Sequence, residues 1–228
     1  MPVTHSFRFP GESAPYRQAR NALLQAEVDL QKRVVAVAEM RSRLPLGGVA
    51  QDYVFEEGAA DLAERGTVRQ VKLSQLFAPG KDTLALYSFM YGPEMAEACP
   101  MCTSFLDGMS GNAVHIQQRC NLAVVAKSPV QRIREHARSR GWNLRMLSSA
   151  HNTYNRDYFG EEADGSQITM MNVFVRRGGA IHHFYGSEAR FVPEPGHDPC
   201  HIDLMWPLWN VLDLTPEGRG DWYPSLTY

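Results

Sequence analysis

Residues 87–102 read Tyr-Ser-Phe-Met-Tyr-Gly-Pro-Glu-Met-Ala-Glu-Ala-Cys-Pro-Met-Cys, and the order of their parts decides the fold. The apolar run that ends at Tyr91 reads as a strand, and Gly92-Pro93 breaks it. Cys99-Pro100-Met101-Cys102 then stands where a helix begins. Strand, loop and two cysteines at a helix N-terminus form a dithiol site where a thiolate is favoured.

Downstream, the pattern alternates. A helix is expected over 100–119, weakened by Gly108 and Gly111. Residues 121–126 (NLAVVA) are continuously apolar, as in a parallel strand covered on both faces. Pro129 opens a second helix that Gly141 stops, and 143–147 form a third strand. The order β-α-β-α-β implies a parallel sheet with right-handed crossovers. Residues 148–166 are polar and read as a loop. Two more strands, 168–176 and 180–185, are joined by Arg177-Gly178-Gly179, which makes them an antiparallel hairpin.

Upstream, 13–44 read as one long amphipathic helix, with Leu23, Ala26, Leu30, Val34 and Val37 at steps of three and four. Ser13 is placed to cap it, Pro15 lies in its first turn and Leu44-Pro45 ends it. Short strands are expected at 52–55 and 67–71, with a turn of helix at 73–77. The sequence thus divides into an N-terminal helical extension, 1–50, and a domain, 51–228. A CxxC beside a βαβ pattern, followed by a hairpin, is the thioredoxin layout. The expected fold is α/β, with a thioredoxin-like central mixed sheet flanked by helices.

Composition narrows the function. The chain has 228 residues, 44% hydrophobic and 21% charged, with a net charge of -2. It lacks the basic face of a nucleic-acid binder and any apolar run long enough to span a bilayer. The first seventeen residues lack a signal-peptide apolar core, so a cytoplasmic location is expected. In a reducing cytosol, the close pair among Cys99, Cys102, Cys120 and Cys200 is either catalytic or a metal ligand set.

As N-cap, Cys99 receives the unpaired amides of the first turn, including that of Cys102, and Pro100 fills the first helical position. A helix end stabilises the charged sulfur by about 0.3–1 kcal/mol. Glu94 and Glu97 oppose it, so a moderately lowered pKa is expected for Cys99. Cys99 is then the exposed attacking sulfur and Cys102 the buried resolving one. Met95 and Met101 flank them as apolar cover. Three other uses of the pair stand beside this one. Zinc would take Cys200-His201 as the second half of its ligands. A peroxidase would need Thr or Ser three residues before Cys99, where Ala96 stands. A non-catalytic binding protein would keep the fold without turnover. Cys120 and the histidines, among them His115, His151, His182, His183, His197 and His201, read as structural or surface residues. His182 and His183 are adjacent in a strand and so face opposite ways. No cofactor and no metal are expected.

The set YSFMYGP (87–93), CPMC (99–102), NLAVVAKSPVQRIREHARSRGWNLRMLSSAHNTYNRDY (121–158), VFVRRGGAIHHFY (173–185) and LDLTPEGRG (212–220) resembles a bacterial family of thioredoxin-like proteins of unknown function. Its members are described as predicted dithiol–disulfide oxidoreductases. The similarity extends to ARNALLQAEVDL (19–30) and RSRLP (41–45). It implies a redox dithiol at Cys99 and Cys102 and a thiol- or disulfide-bearing substrate, protein or small molecule, but names no particular one. Thioredoxins carry a cis-proline before the fourth strand. The corresponding stretch here, 168–172 (ITMMN), has none, which leaves Met170 and Met171, with Pro100 and Met101, as the substrate-proximal segments. Trp142 and the loop 148–158 are further candidates for the border of the site. The tail PCHIDLMWPLWNVLDL (199–214) exceeds what the minimal fold needs. With the N-terminal extension, it is expected to support a homodimer.

Overall fold

A computed structural model describes residues 5–192 and 204–227, so Cys200, His197 and His201 lie outside the described residues. The chain forms two compact units, Met1–Pro45 and Leu46–Tyr228. The first is essentially one helix, α1 (Ala14–Ser42). Ser13 caps it, its hydroxyl accepting from the Tyr16 amide at 3.3 Å, and Pro15 sits in the first turn. No residue of α1 is buried, and Leu23, Leu30 and Val34 all lie exposed along it.

The second unit is built on a seven-stranded sheet. In chain order its elements are β1 (Val54–Glu57), β2 (Arg69–Lys72), a 3-10 turn (Leu73–Leu76), β3 (Thr83–Ser88), α2 (Pro100–Ile116), β4 (Asn121–Ala126), α3 (Val130–Ser139) and β5 (Arg145–Ser148). They continue with α4 (Tyr154–Asp157), β6 (Met170–Arg177), β7 (Ala180–Gly186), a second 3-10 turn (Glu188–Phe191) and α5 (Pro207–Leu212). The strands lie in the order β2-β1-β5-β4-β3-β6-β7. β3, β4 and β5 are parallel, and β6 pairs antiparallel with β3. The run β4-β3-β6-β7, with the dithiol at the start of α2, the helix that follows β3, makes this a thioredoxin-like fold. β1 and β2 extend it antiparallel beyond β5.

The apolar run 121–126 is explained by its position. Leu122, Val124 and Ala126 face the core under α2 and α3, while Ala123 and Val125 face the opposite core with Phe55, Leu86 and Phe174. A strand covered on both faces has no polar side to show. The loop expected over 148–166 contains one helical turn, α4, because Tyr154 is fully buried and packs edge-on against Phe55 at 5.4 Å between centroids. Pro207 opens α5, where its missing N–H leaves no hydrogen bond unmade, and the helix runs only to Leu212. Trp206 and Trp209 are buried beside α2, and Trp206 meets Phe105 edge-on at 5.8 Å.

Candidate functional site

Cys99 is the N-cap of α2, with extended backbone angles (φ -60°, ψ 123°). Its carbonyl accepts from the Thr103 amide at 2.9 Å, and its own amide donates to Met90 at 3.1 Å. Its Sγ accepts from the Cys102 amide at 3.5 Å. Pro100 at the first helical position has no N–H to leave unpaired. Cys99 is partly exposed, whereas Cys102, one turn on, is 2% exposed. Burial pushes the Cys102 thiol well above its ordinary range, and the adjacent Cys99 sulfur pushes the same way. The Tyr87 hydroxyl and the Met90 amide, polar groups beside the Cys102 sulfur, partly offset this.

Tyr87 comes from β3 and is itself fully buried, which raises its phenol well above the ordinary value and keeps it a neutral donor. Its hydroxyl accepts from Thr169, the residue just before β6, at 2.5 Å. A line of hydroxyls therefore runs from Thr169 through Tyr87 to Cys102.

The loop between β3 and Cys99 is held by Arg132, in the first turn of α3. Its guanidinium donates to the carbonyls of Gly92 (3.3 Å), Pro93 (3.2 Å) and Ala96 (2.8 Å), and to that of Met95. The same group stacks on Tyr91, 4.3 Å from the ring centroid. Ser128 adds a hydroxyl bond to Gly92 at 3.0 Å. Further along α3, His136 Nε2 meets the buried Thr103 hydroxyl of α2 at 3.1 Å. His136 packs against Phe89, Tyr91 and Trp142, and burial lowers its pKa.

Of the residues expected near substrate, Met101 and Met171 join the same apolar cluster as Cys102, and Pro100 opens the helix beside it. Met170 is also buried but turns to the other side, its sulfur 3.7 Å from the Ser187 hydroxyl. The described residues contain no cis peptide, so 168–172 enter β6 through ordinary trans bonds. Trp142 is buried between α2 and α3, donating to Asp107 at 2.7 Å. In β7, His182 reaches the Gly47 carbonyl at 3.1 Å and His183 the Asn172 side chain at 2.9 Å, on separate sides. Among the described residues, no three of His, Cys, Asp and Glu are grouped to hold a metal ion, and no helix is long and apolar enough to cross a membrane.

Tyr87, Thr169, Arg132 and His136 were not singled out in the sequence. Tyr87 and Arg132 had weak signals: an aromatic in the strand before the dithiol, and a cation one helical turn after Ser128-Pro129. Thr169 had none, because only the β3–β6 pairing brings it to Tyr87.

The family model described as "Bacterial protein of unknown function (DUF899)" matches residues 8–227. No curated protein matches the sequence. Among solved structures, the reduced 2-Cys peroxiredoxin of Plasmodium vivax aligns at 15% identity and a TM-score of 0.46, over 62% of this chain and 83% of its own. The peroxidoxin BcpB of Mycobacterium tuberculosis aligns at 16% and 0.45, over 75% and 99%. A putative thioredoxin reductase of Burkholderia cenocepacia aligns at 14% and 0.43, over 68% and 90%.

Proposed function

The chain belongs to the bacterial DUF899 family of unknown function, and we propose that within it Cys99 and Cys102 carry out thiol–disulfide exchange. The observation that supports this most is the pairing of a partly exposed N-cap sulfur with a buried second sulfur whose amide is directed at it from 3.5 Å. The Cys99 thiolate attacks one sulfur of a substrate disulfide, forming a mixed disulfide and releasing the other sulfur as a thiolate, which takes up a proton. Cys102 then loses its proton and attacks the Cys99 sulfur. The Cys99–Cys102 disulfide forms, and the second substrate sulfur leaves and is protonated. Two electrons pass to the substrate, and an external dithiol restores the protein.

Substrate meets Cys99 over Pro100 and Met101, with Met171 behind. In the same reading the protein pairs with a second copy through α1, whose apolar side chains have no buried position in one chain. The direct test is reduction of insulin by dithiothreitol, followed by turbidity. The proposal requires that wild type accelerate it and that Cys99→Ser abolish the acceleration. Equal rates for the two proteins would refute it. A covalent complex accumulating with Cys102→Ser, and absent with Cys99→Ser, assigns the attacking and resolving roles.

A further inference from the structure

At the end of the sheet away from the dithiol, where β3, β4 and β5 begin, a cleft of about 460 Å³ opens to solvent. That is the size of a small-molecule site. Leu84, Leu122, Leu144 and Met146 give it an apolar floor. Its polar wall is strongly one-sided: Arg69, Lys81, Arg134 and Arg145 against the single carboxylate of Glu57, in a chain whose net charge is -2.

The cations are fixed in place without being neutralised. Glu57 is 6% exposed and shared by two guanidinium groups: Arg145 donates to it at 2.5 and 3.0 Å, and Arg69 at 3.1 Å. One carboxylate thus orients two forks and leaves a positive charge over. Arg134 is 5% exposed and donates to the backbone carbonyls of Ala59 (2.6 Å), Asp61 (2.9 Å) and Glu64 (2.8 Å). The side chains of Asp61 and Glu64 are turned instead to the amides of Ala63, Gly66 and Thr67. The Lys81 ammonium rests on the Gln117 carbonyl. Carbonyls satisfy hydrogen bonds but cancel no charge, and with the Glu64 carboxylate set against Arg134, the wall still keeps an excess of two positive charges, from Arg69, Lys81 and Arg145 against Glu57, over an apolar floor.

We propose that this cleft is a binding site for a small organic anion, its charged group held by Lys81, Arg69 and Arg145 and its apolar body laid on Leu84, Leu122 and Met146. A guanidinium fork recognises a carboxylate or a phosphate monoester. Pre-ordering by Glu57 lowers the cost of fixing those side chains on binding. The site lies at the opposite strand ends from Cys99, so it stands whether or not the dithiol turns over.

Phenyl phosphate is a suitable probe, with benzyl alcohol as its uncharged counterpart, titrated calorimetrically into the full chain at low ionic strength. Saturable binding of phenyl phosphate is expected, none of benzyl alcohol, and weakening as salt is raised. Lys81→Gln and Arg69→Gln should each weaken binding by at least about tenfold, with unchanged circular dichroism; Arg69 is largely exposed, so its loss spares the core. Lys72→Gln, an exposed cation outside the cleft, should leave binding unchanged. Cys120 lines the cleft and locates the ligand: phenyl phosphate should slow its alkylation by iodoacetamide, read by peptide mass spectrometry. The proposal is overturned if phenyl phosphate gives no binding, if benzyl alcohol binds as well, if the Lys81 and Arg69 variants match wild type, or if Cys120 stays unprotected.

Discussion

The Thr169 hydroxyl donates to the Tyr87 hydroxyl at 2.5 Å across 82 residues of sequence, and the Tyr87 phenol stands beside the buried Cys102 sulfur, where it favours the thiolate. A buried thiolate is costly, and a neutral phenol that donates to it lowers that cost. Tyr87→Phe removes the donor and keeps the ring. In the proposed exchange it should slow the second step, so that the mixed disulfide on Cys99 accumulates while its formation rate is unchanged. The pH dependence of resolution should shift to higher pH. Quenched-flow trapping with a model disulfide measures both steps separately. Thr169→Val should move resolution the same way to a smaller extent, and Thr169→Ser should restore it.

Arg132 gathers four carbonyls of the loop before Cys99 and covers Tyr91. Arg132→Ala should cost about 2 kcal/mol of stability, because four loop carbonyls, those of Gly92 and Met95 partly buried, lose a charged donor. Lysine cannot reproduce the planar fork, so Arg132→Lys should recover only part. Urea denaturation gives the stability. Hydrogen exchange should rise in residues 92–98 of either variant before it rises in β4.

His136 and His183 are both half-buried, and burial lowers the pKa of each. The sign follows from the unfolded chain, which takes up a proton on each histidine below about pH 6.5 while the folded chain resists it. The stability that they contribute is therefore complete above that pH and is lost as the solution is acidified. Melting temperature should fall between pH 7 and 5, and the slope should flatten in the His136→Gln, His183→Gln double variant. A slope unchanged by those substitutions would assign the acid sensitivity to other groups.

For Cys102 the shift runs upward, so reduced protein should hold its stability to about pH 8.5 and lose it above, as the unfolded thiol ionises first. Denaturation of reduced wild type and Cys102→Ala at increasing pH checks this: the loss through that window should be smaller in Cys102→Ala, the remainder belonging to Cys120, whose thiol burial also raises.

Gly58 packs its backbone onto the Arg134 side chain, and a Cβ there would lie 2.5 Å from the guanidinium carbon. Gly58→Ala should therefore destabilise the protein by about 1–3 kcal/mol, since the displaced guanidinium must abandon three carbonyls. Thermal denaturation measures it.

Much of the fold was legible in sequence because it depends on local patterns. The strand break at Gly92-Pro93, the proline after Cys99 and the two-faced apolar run of β4 each act over a few residues. The N-cap geometry of Cys99 followed from the same local rules. Two features stayed hidden because distant partners set them. The turn at Tyr154 forms because its ring fits between Phe55 and Phe174, which the polarity of 148–166 does not announce. The cationic cleft joins β1, β2, α3 and β5, and its four basic residues are scattered among 23 Lys and Arg with no run to mark them.

The antiparallel pairing of β6 with β3 has a consequence for biosynthesis. A chain leaving the ribosome exposes Cys99 and Cys102 about seventy residues before Thr169 is made, and strand pairing of long sequence separation forms slowly. Until β6 docks, Tyr87 lacks its companion hydroxyl and one hydrogen-bonding edge of β3 is open to water. The nascent dithiol is then an ordinary pair of accessible thiols, and its distinct character arrives only when the C-terminal half of the domain closes over it.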